Sequence, residues 1–290
     1  MLTSDHTLIK HRRNWSSIYH CPQHTHYLKV GTSHQIQTEV LLYQSAKSLW
    51  FQLPDLLWYD ILADDISWMK ESVMGWWLYS DIFTQDCHDM GYIWDEHFAD
   101  FCAYQSHHLA CQLSSVWSIS LWSFVSKRDM LRSEWKIDSS LIETIYSMIA
   151  WVLQPLPIAR NHGDHNPYNI FESWFIDLED SFMGPIWYDT VTSLTQNFRF
   201  PISGAELCQQ HRFTPIQIQQ YYIQLLSSHD CDSDQIFWAL MIMRWIFVTV
   251  WSWAFPLLEQ YRYSKLKHTI EHYIDWWNMH TYFIKNYRTI

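Results

Sequence analysis

Glycine is scarce in this chain, six in 290 residues, and none precedes Gly31. A glycine-rich turn that wraps phosphate with bare backbone amides is therefore excluded from the first thirty residues. The turn at Arg12-Arg13-Asn14 is left to do that work through charge, or to be a solvated hairpin. Cysteine is sparse as well. The six cysteines, Cys21, Cys87, Cys102, Cys111, Cys208 and Cys231, form no C-x-x-C pair, which argues against a zinc knuckle or a disulfide scaffold. The segment Met1 to Lys10 has no apolar run behind a basic start, so a secretory leader is not expected and a cytoplasmic location is. Basic residues are short: 19 Lys and Arg stand against 30 Asp and Glu, a net charge of −11. Such a surface repels a nucleic-acid backbone and attracts cations. No apolar run is long enough to span a membrane without interruption. The nearest, Ile236 to Leu258, carries Arg244 in its middle and Pro256 near its end, and reads as a buried or groove-lining helix.

What is present is apolar and aromatic material. Hydrophobic residues make up 48% of the chain and aromatics 18%, with 19 Trp, which is the composition of a packed globular protein rather than a disordered one. The N-terminal region alternates like short strands at Thr7 to Lys10, Trp15 to Cys21 and His26 to Val30, with a turn at Pro22-Gln23-His24. After Gly31 the period lengthens: Ile36, Val40 and Tyr43 share one helical face, with Glu39 beside them. Asp55 to Trp58 and Ser67 to Ser72 read as further strands, and helical spacing dominates from Leu78 to Leu153. Strands first and helices afterwards predict an α+β chain in two lobes, residues 1–73 and 74–290, meeting near Glu71 to Gly75 with a ligand cleft between them.

The helical pattern stops at Pro155 and Pro157, and a polar segment runs from Asn161 to Phe171. Within it, Asp164 and Asn169 stand five positions apart, and Phe175-Ile176-Asp177-Leu178 then reads as a short strand ending in a carboxylate. Phosphoryl transfer from ATP needs a carboxylate to take the proton of the attacking hydroxyl, and oxygen ligands for Mg²⁺. Asp164, Asn169 and Asp177 supply such groups in order. A hydrolase metal site on His162, Asp164 and His165 is the competing reading of the same segment; no second His/Asp cluster at helical spacing accompanies it.

The order His162-Gly163-Asp164 to Asn169, then Ile176-Asp177, then Gly184-Pro185-Ile186-Trp187-Tyr188-Asp189 resembles the pattern of the aminoglycoside phosphotransferase and choline kinase family. The run Asp177 to Asp180 is similar to bacterial members, including a stress-response kinase branch. The resemblance implies a bilobal protein-kinase-like fold and a Mg²⁺-dependent, ATP-consuming small-molecule kinase. It implies Asp164 as catalytic base, Asn169 and Asp177 as metal ligands, and Asp189 as a structural residue tying the loop to the helix behind it. Glu179 and Asp180 form either a solvated turn or helix cap, or a polar contact to a cationic substrate.

The same resemblance asks for a strand lysine that contacts phosphate and pairs with a helix glutamate, and Lys29 and Glu39 are the candidates. Adenine would meet the interlobe segment Met69 to Val73, with Glu71 and Val73 as contacts. The acceptor would be a small cationic hydroxyl compound, such as an aminoglycoside, amino alcohol or amino sugar. Rings at Trp238, Trp245, Trp251, Trp253, Trp276 and Trp277 and acids at Glu259, Glu271 and Asp275 are candidates to meet it. Helical tryptophans are more often core, so one or two of the six are expected in a pocket. A stress-response protein Ser/Thr kinase and a catalytically silent kinase-like binding protein are the alternatives. The silent form would show Lys29 displaced from Glu39, or a first lobe unable to enclose phosphates.

Overall fold

The computed structural model describes residues 6–11, 17–21, 23, 26–48, 53–60, 67–72, 78–114, 147, 149–171, 175–195, 213–225 and 233–250. The first lobe is a five-stranded antiparallel sheet in the order β1-β2-β3-β5-β4, built from β1 (Thr7–His11), β2 (Ser17–Cys21), β3 (His26–Gly31), β4 (Leu56–Asp60) and β5 (Ser67–Ser72). The strands fall where the alternating patterns predict them, with ends moved by one or two residues, as β4 runs Leu56–Asp60 where Asp55 to Trp58 was expected. Between β3 and β4 the chain forms α1 (Ser33–Ser48), whose Ile36 amide donates to the Thr32 carbonyl at 3.1 Å. Ile36, Val40 and Tyr43 are buried, so the predicted stripe is the face that packs on the sheet, with Met69 of β5 beneath it. The alternation of β3 puts Lys29 and Tyr27 on one face and His26, Leu28 and Val30 on the other.

The second lobe is mainly helical: α2 (Tyr79–Met90), α3 (Asp95–Ser114), α4 (Tyr188–Thr195), α5 (Pro215–Leu225) and α6 (Ser233–Val250), with a two-stranded ribbon of β6 (Ile158–Asn161) and β7 (Phe182–Pro185). An aromatic cluster forms its centre. Phe83, Phe98 and Phe101 surround Phe213 with ring centroids 5.2–5.8 Å apart, mostly edge to face, which suits the ring quadrupole. Helix α3 packs on α5, and α4 on α6. Every residue from Ile236 to Arg244 is buried, so this stretch of α6 is enclosed on all sides. Among the described residues no helix is long and apolar enough to cross a membrane.

The junction between α2 and α3 is set by polar chemistry. Gly91 ends α2 in a left-handed conformation (φ 81°) and donates its amide to Cys87. Asp86, on the last turns of α2, accepts the Trp94 amide at 3.0 Å and the His97 Nδ1 proton at 2.9 Å, capping α3 from a neighbouring helix. Replacing Asp86 with alanine is expected to lower stability by about 1–2 kcal/mol. A urea titration checks this: the midpoint falls while the slope stays unchanged.

Candidate active site

The ribbon β6/β7 brackets the polar segment, and short bridges of Leu78 to Phe171 and Ile170 to Phe175 close its far end. The start of α2 has no side-chain cap; instead its Tyr79 and Ser80 amides donate to the carbonyls of Ile170 and Pro167, each at 3.0 Å. Orphan donors of one helix thus hold the loop in place.

At the base of the loop lies Asp189, fully buried at the start of α4. Its Oδ2 accepts the His162 amide at 2.7 Å, His108 Nε2 at 2.9 Å and Gln112 Nε2 at 3.2 Å, and its Oδ1 accepts the Gly163 amide at 3.0 Å. Gln112 also donates to the Arg160 carbonyl and to Asn161 Oδ1, each at 3.0 Å. One carboxylate therefore ties α3 and α4 to the loop backbone, the structural part that the resemblance of Gly184 to Asp189 implies for it. Gly163 sits at φ 89°, and a Cβ there would meet the Asp180 carbonyl oxygen at 2.0 Å, so no other residue fits.

His162 turns inward. A carbonyl only accepts, so the 2.6 Å contact with Ile176 places the proton on Nε2, and Nδ1 then accepts the Asp164 amide at 3.3 Å. The ring thereby joins Asp164 to the backbone just before Asp177. His165 is enclosed too, stacked on His108 with centroids 4.2 Å apart and on Tyr104 at 5.9 Å. Burial first, then the neighbouring His108 and His162, push its pKa well below the usual histidine value, so it is neutral. His162, Asp164 and His165 do not bring their ligand atoms together; His165 lies with His108 and Asp189 instead, which counts against the hydrolase reading.

Asp164 has a side chain that is 33% exposed. Asn169 Nδ2 donates to its carbonyl at 2.9 Å and to its Oδ2 at 3.2 Å. Its other oxygen, Oδ1, accepts Arg244 Nη2 at 2.5 Å, while Arg244 Nη1 donates to the Gly163 carbonyl at 2.9 Å. Burial acts to raise the Asp164 pKa, but the Arg244 guanidinium, by charge and by hydrogen bond, holds it below the usual carboxylate range. Arg244 stays cationic: burial opposes its charge, and Tyr188 and Asp164 more than offset it.

The two lobes meet through charge. Lys29 on β3 is buried and paired with Glu39 of α1, and its Nζ lies 3.7 Å from Asp177 Oδ1. Asp177 is in the left-handed region (φ 73°, ψ 62°), immediately before the 3₁₀ turn Leu178–Asp180, which packs against α1. The sequence-selected Lys29, Glu39, Asp164, Asn169 and Asp177 are thus linked at one junction. Glu71 lies in β5, its backbone paired with Tyr27 and Leu56. Val73, Arg12, Arg13, Asn14, Trp251, Trp253, Trp276, Trp277, Glu259, Glu271 and Asp275 lie outside the described residues. Trp238 is fully buried in the core, its ring edge-on to Phe237. Arg244 is the residue that pattern reading missed as part of the site. A lone arginine inside an apolar helix needs a buried anionic partner, and that was the available signal.

No family model matches the chain, and no curated protein matches its sequence. Solved structures do match. Aminoglycoside phosphotransferase APH(4)-Ia, in a ternary complex with ADP and hygromycin B, superposes with a TM-score of 0.62 at 9% identity, covering 92% of this chain and 94% of that one. APH(2")-IIIa, complexed with GDP and kanamycin, gives 0.61 at 10% identity, covering 94% and 95%. The ethanolamine kinase of Plasmodium vivax gives 0.55 at 12% identity, covering 91% and 81%. At such identities the likeness is one of fold: the chain has the bilobal protein-kinase-like α+β fold.

Asp189 is where that fold is most exposed to a single change. Asp189→Asn replaces an acceptor with a donor facing N–H groups, and a loss of about 3–5 kcal/mol is expected. Chemical denaturation measures it, and a loss below about 1 kcal/mol would refute the hub role.

Proposed function

We propose that this protein is a Mg²⁺-dependent phosphotransferase that moves the γ-phosphate of ATP to a hydroxyl of a small cationic molecule. The observation that carries the reading is the run of charge from Glu39 through Lys29 to Asp177, with Asp164 and Asn169 joined to the same junction by His162 and the loop. Lys29, fixed by Glu39, is placed to meet phosphate oxygens. The lobe boundary near residue 73 leaves the nucleotide base to the interlobe segment, with Glu71 and Val73 as its contacts.

The donor set fits a hard divalent cation. Asp177 offers a carboxylate, and Asn169 makes its side-chain bonds through Nδ2, leaving Oδ1 as a neutral oxygen donor. Mg²⁺ held there would neutralise charge on the phosphates. Asp177 adopts its left-handed backbone at a cost of about 1–3 kcal/mol, the kind of strain that persists where the surroundings fix a functional side chain.

Asp164 serves as the base. Arg244 and Asn169 orient the carboxylate from two sides, and Asp164 takes the proton from the acceptor hydroxyl as the phosphoryl group transfers. Its lowered pKa keeps it ionised through neutral pH. The same shift is a stability statement: the contribution is present above the unfolded-state carboxylate pKa and is lost as pH falls through the lower folded value.

A cationic acceptor is supported by the net charge of −11 and by the amine-bearing compounds named with the structural relatives, hygromycin B, kanamycin and ethanolamine. The intact Lys29–Glu39 pair supports an enzyme, since a displaced pair is one of the two signs of a silent binding protein.

Three variants test the reading. Asp164→Ala is expected to lower transfer by about 10²–10⁴-fold while ATP binding persists, and wild-type activity in it would remove the base. Asp177→Ala is expected to abolish the Mg²⁺-dependent thermal stabilisation given by ATP. Arg244→Lys is expected to move the acid limb of kcat/KM to higher pH, because a less well-fitted cation holds the Asp164 carboxylate less far below its ordinary range. An unmoved limb would show that Arg244 only packs.

A further inference from the structure

On the face of the first sheet opposite Lys29, three side chains form a row: Cys21 of β2, His26 of β3 and His6 just before β1. Cys21, the last residue of β2, is directly across from His26, the first of β3. His6 immediately precedes β1, where Leu8 is paired with Tyr19, so the alternation puts His6, Leu8, Tyr19 and Cys21 on the same face. Lys29 lies on the other face, an odd number of residues from His26. This row is therefore independent of the phosphoryl-transfer reading.

We propose that His6, Cys21 and His26 bind a borderline transition-metal dication, Zn²⁺ by its ligand preference, as a clamp on the end of the sheet. The candidate ligand atoms of the three all lie within 4.8 Å of one another. His6 Nε2 and His26 Nε2 are 3.3 Å apart, with their rings at 62°. Two Zn–N bonds of about 2.0–2.1 Å at the tetrahedral angle separate their nitrogens by about 3.3 Å. That separation is long for a hydrogen bond between imidazoles, whose N···N distance is shorter when one ring donates well. Two imidazoles and a thiolate form a soft-to-borderline set that suits Zn²⁺ and disfavours Mg²⁺, which takes oxygen. Cys21 and His26 are buried and Cys21 is a free thiol, so the sulfur is shielded while His6, half-buried, leaves a way in. Water completes the tetrahedron.

Binding converts the Cys21 thiol to a thiolate, releasing one proton as the Zn–S bond forms. The ion would fasten the beginning of β1, the end of β2 and the beginning of β3. His26 is also paired across the sheet with Ser72, the last residue of β5, from which the chain leaves for the second lobe. The clamp therefore fixes the end of the sheet nearest that crossing.

The test uses the full chain, stripped with chelator under reducing conditions and free of nucleotide. Co²⁺ is added as a spectroscopic probe and Zn²⁺ as competitor. One equivalent of Co²⁺ is expected to give a thiolate-to-cobalt charge-transfer band with tetrahedral ligand-field absorption, displaced by one equivalent of Zn²⁺, and Zn²⁺ is expected to raise the thermal midpoint. Cys21→Ser should abolish the band, and His6→Gln should weaken Zn²⁺ binding at least about tenfold. The chain has 17 histidines and other cysteines, so the variants carry the assignment. No thiolate band in the wild type, or a band unchanged in Cys21→Ser, overturns the proposal. If Cys21→Ser does not fold, His6→Gln decides: it changes a half-buried side chain outside the strands, and unchanged Zn²⁺ affinity in it overturns the proposal equally.

Discussion

A buried carboxylate with four donors is the constraint on which the second lobe depends. Away from water, Asp189 is tolerable only while His162, Gly163, His108 and Gln112 all point their N–H groups at it. That requirement fixes the distance of α3 from α4 and the path of the loop between β6 and Asp164. The loop cannot relax without leaving a charge unpaired, so its geometry is determined before any ligand arrives. Gly163 is a consequence of the same constraint, since the chain turns there with its α-carbon against the Asp180 carbonyl.

The reactive groups are arranged around that fixed loop by paired charges, with Asp164 the most exposed of them. Arg244 reaches from the buried stretch of α6 to Asp164 and the Gly163 carbonyl, so an apolar helix contributes a cation to the polar loop. Lys29 lies between Glu39 and Asp177, and links the first lobe to the second. Each cation has its charge balanced by carboxylates at short range, which is the condition for placing ions in a largely buried junction. The sheet that presents Lys29 on one face carries the His6, Cys21 and His26 row on the other, so one small sheet serves two separate sets of polar residues.

Much of this was legible in the chain. Alternation over 7–31 and 67–72 marked strands because a sheet with one covered face needs a period of two, and Ile36, Val40 and Tyr43 marked the helix that covers it. The spacing of Asp164, Asn169, Asp177 and Asp189 marked the loop because polar residues so dense are poor core. Arg244 was visible only as an anomaly in an apolar run, whereas Trp238 is buried as helical tryptophans mostly are.

Local sequence determined the elements and the residue types of the site, since periodicity and polarity act over a few neighbours. It indicated the α+β fold as well, because the five strands of the first sheet precede most of the helices. Only the tertiary structure decided which atoms meet: Arg244 with Asp164 across 80 positions, His108 with Asp189 across 81, and His6 with His26 across three strands. Those pairings depend on how helices and strands pack, and the charge or ring at either end carries no mark in the sequence of the partner it will find.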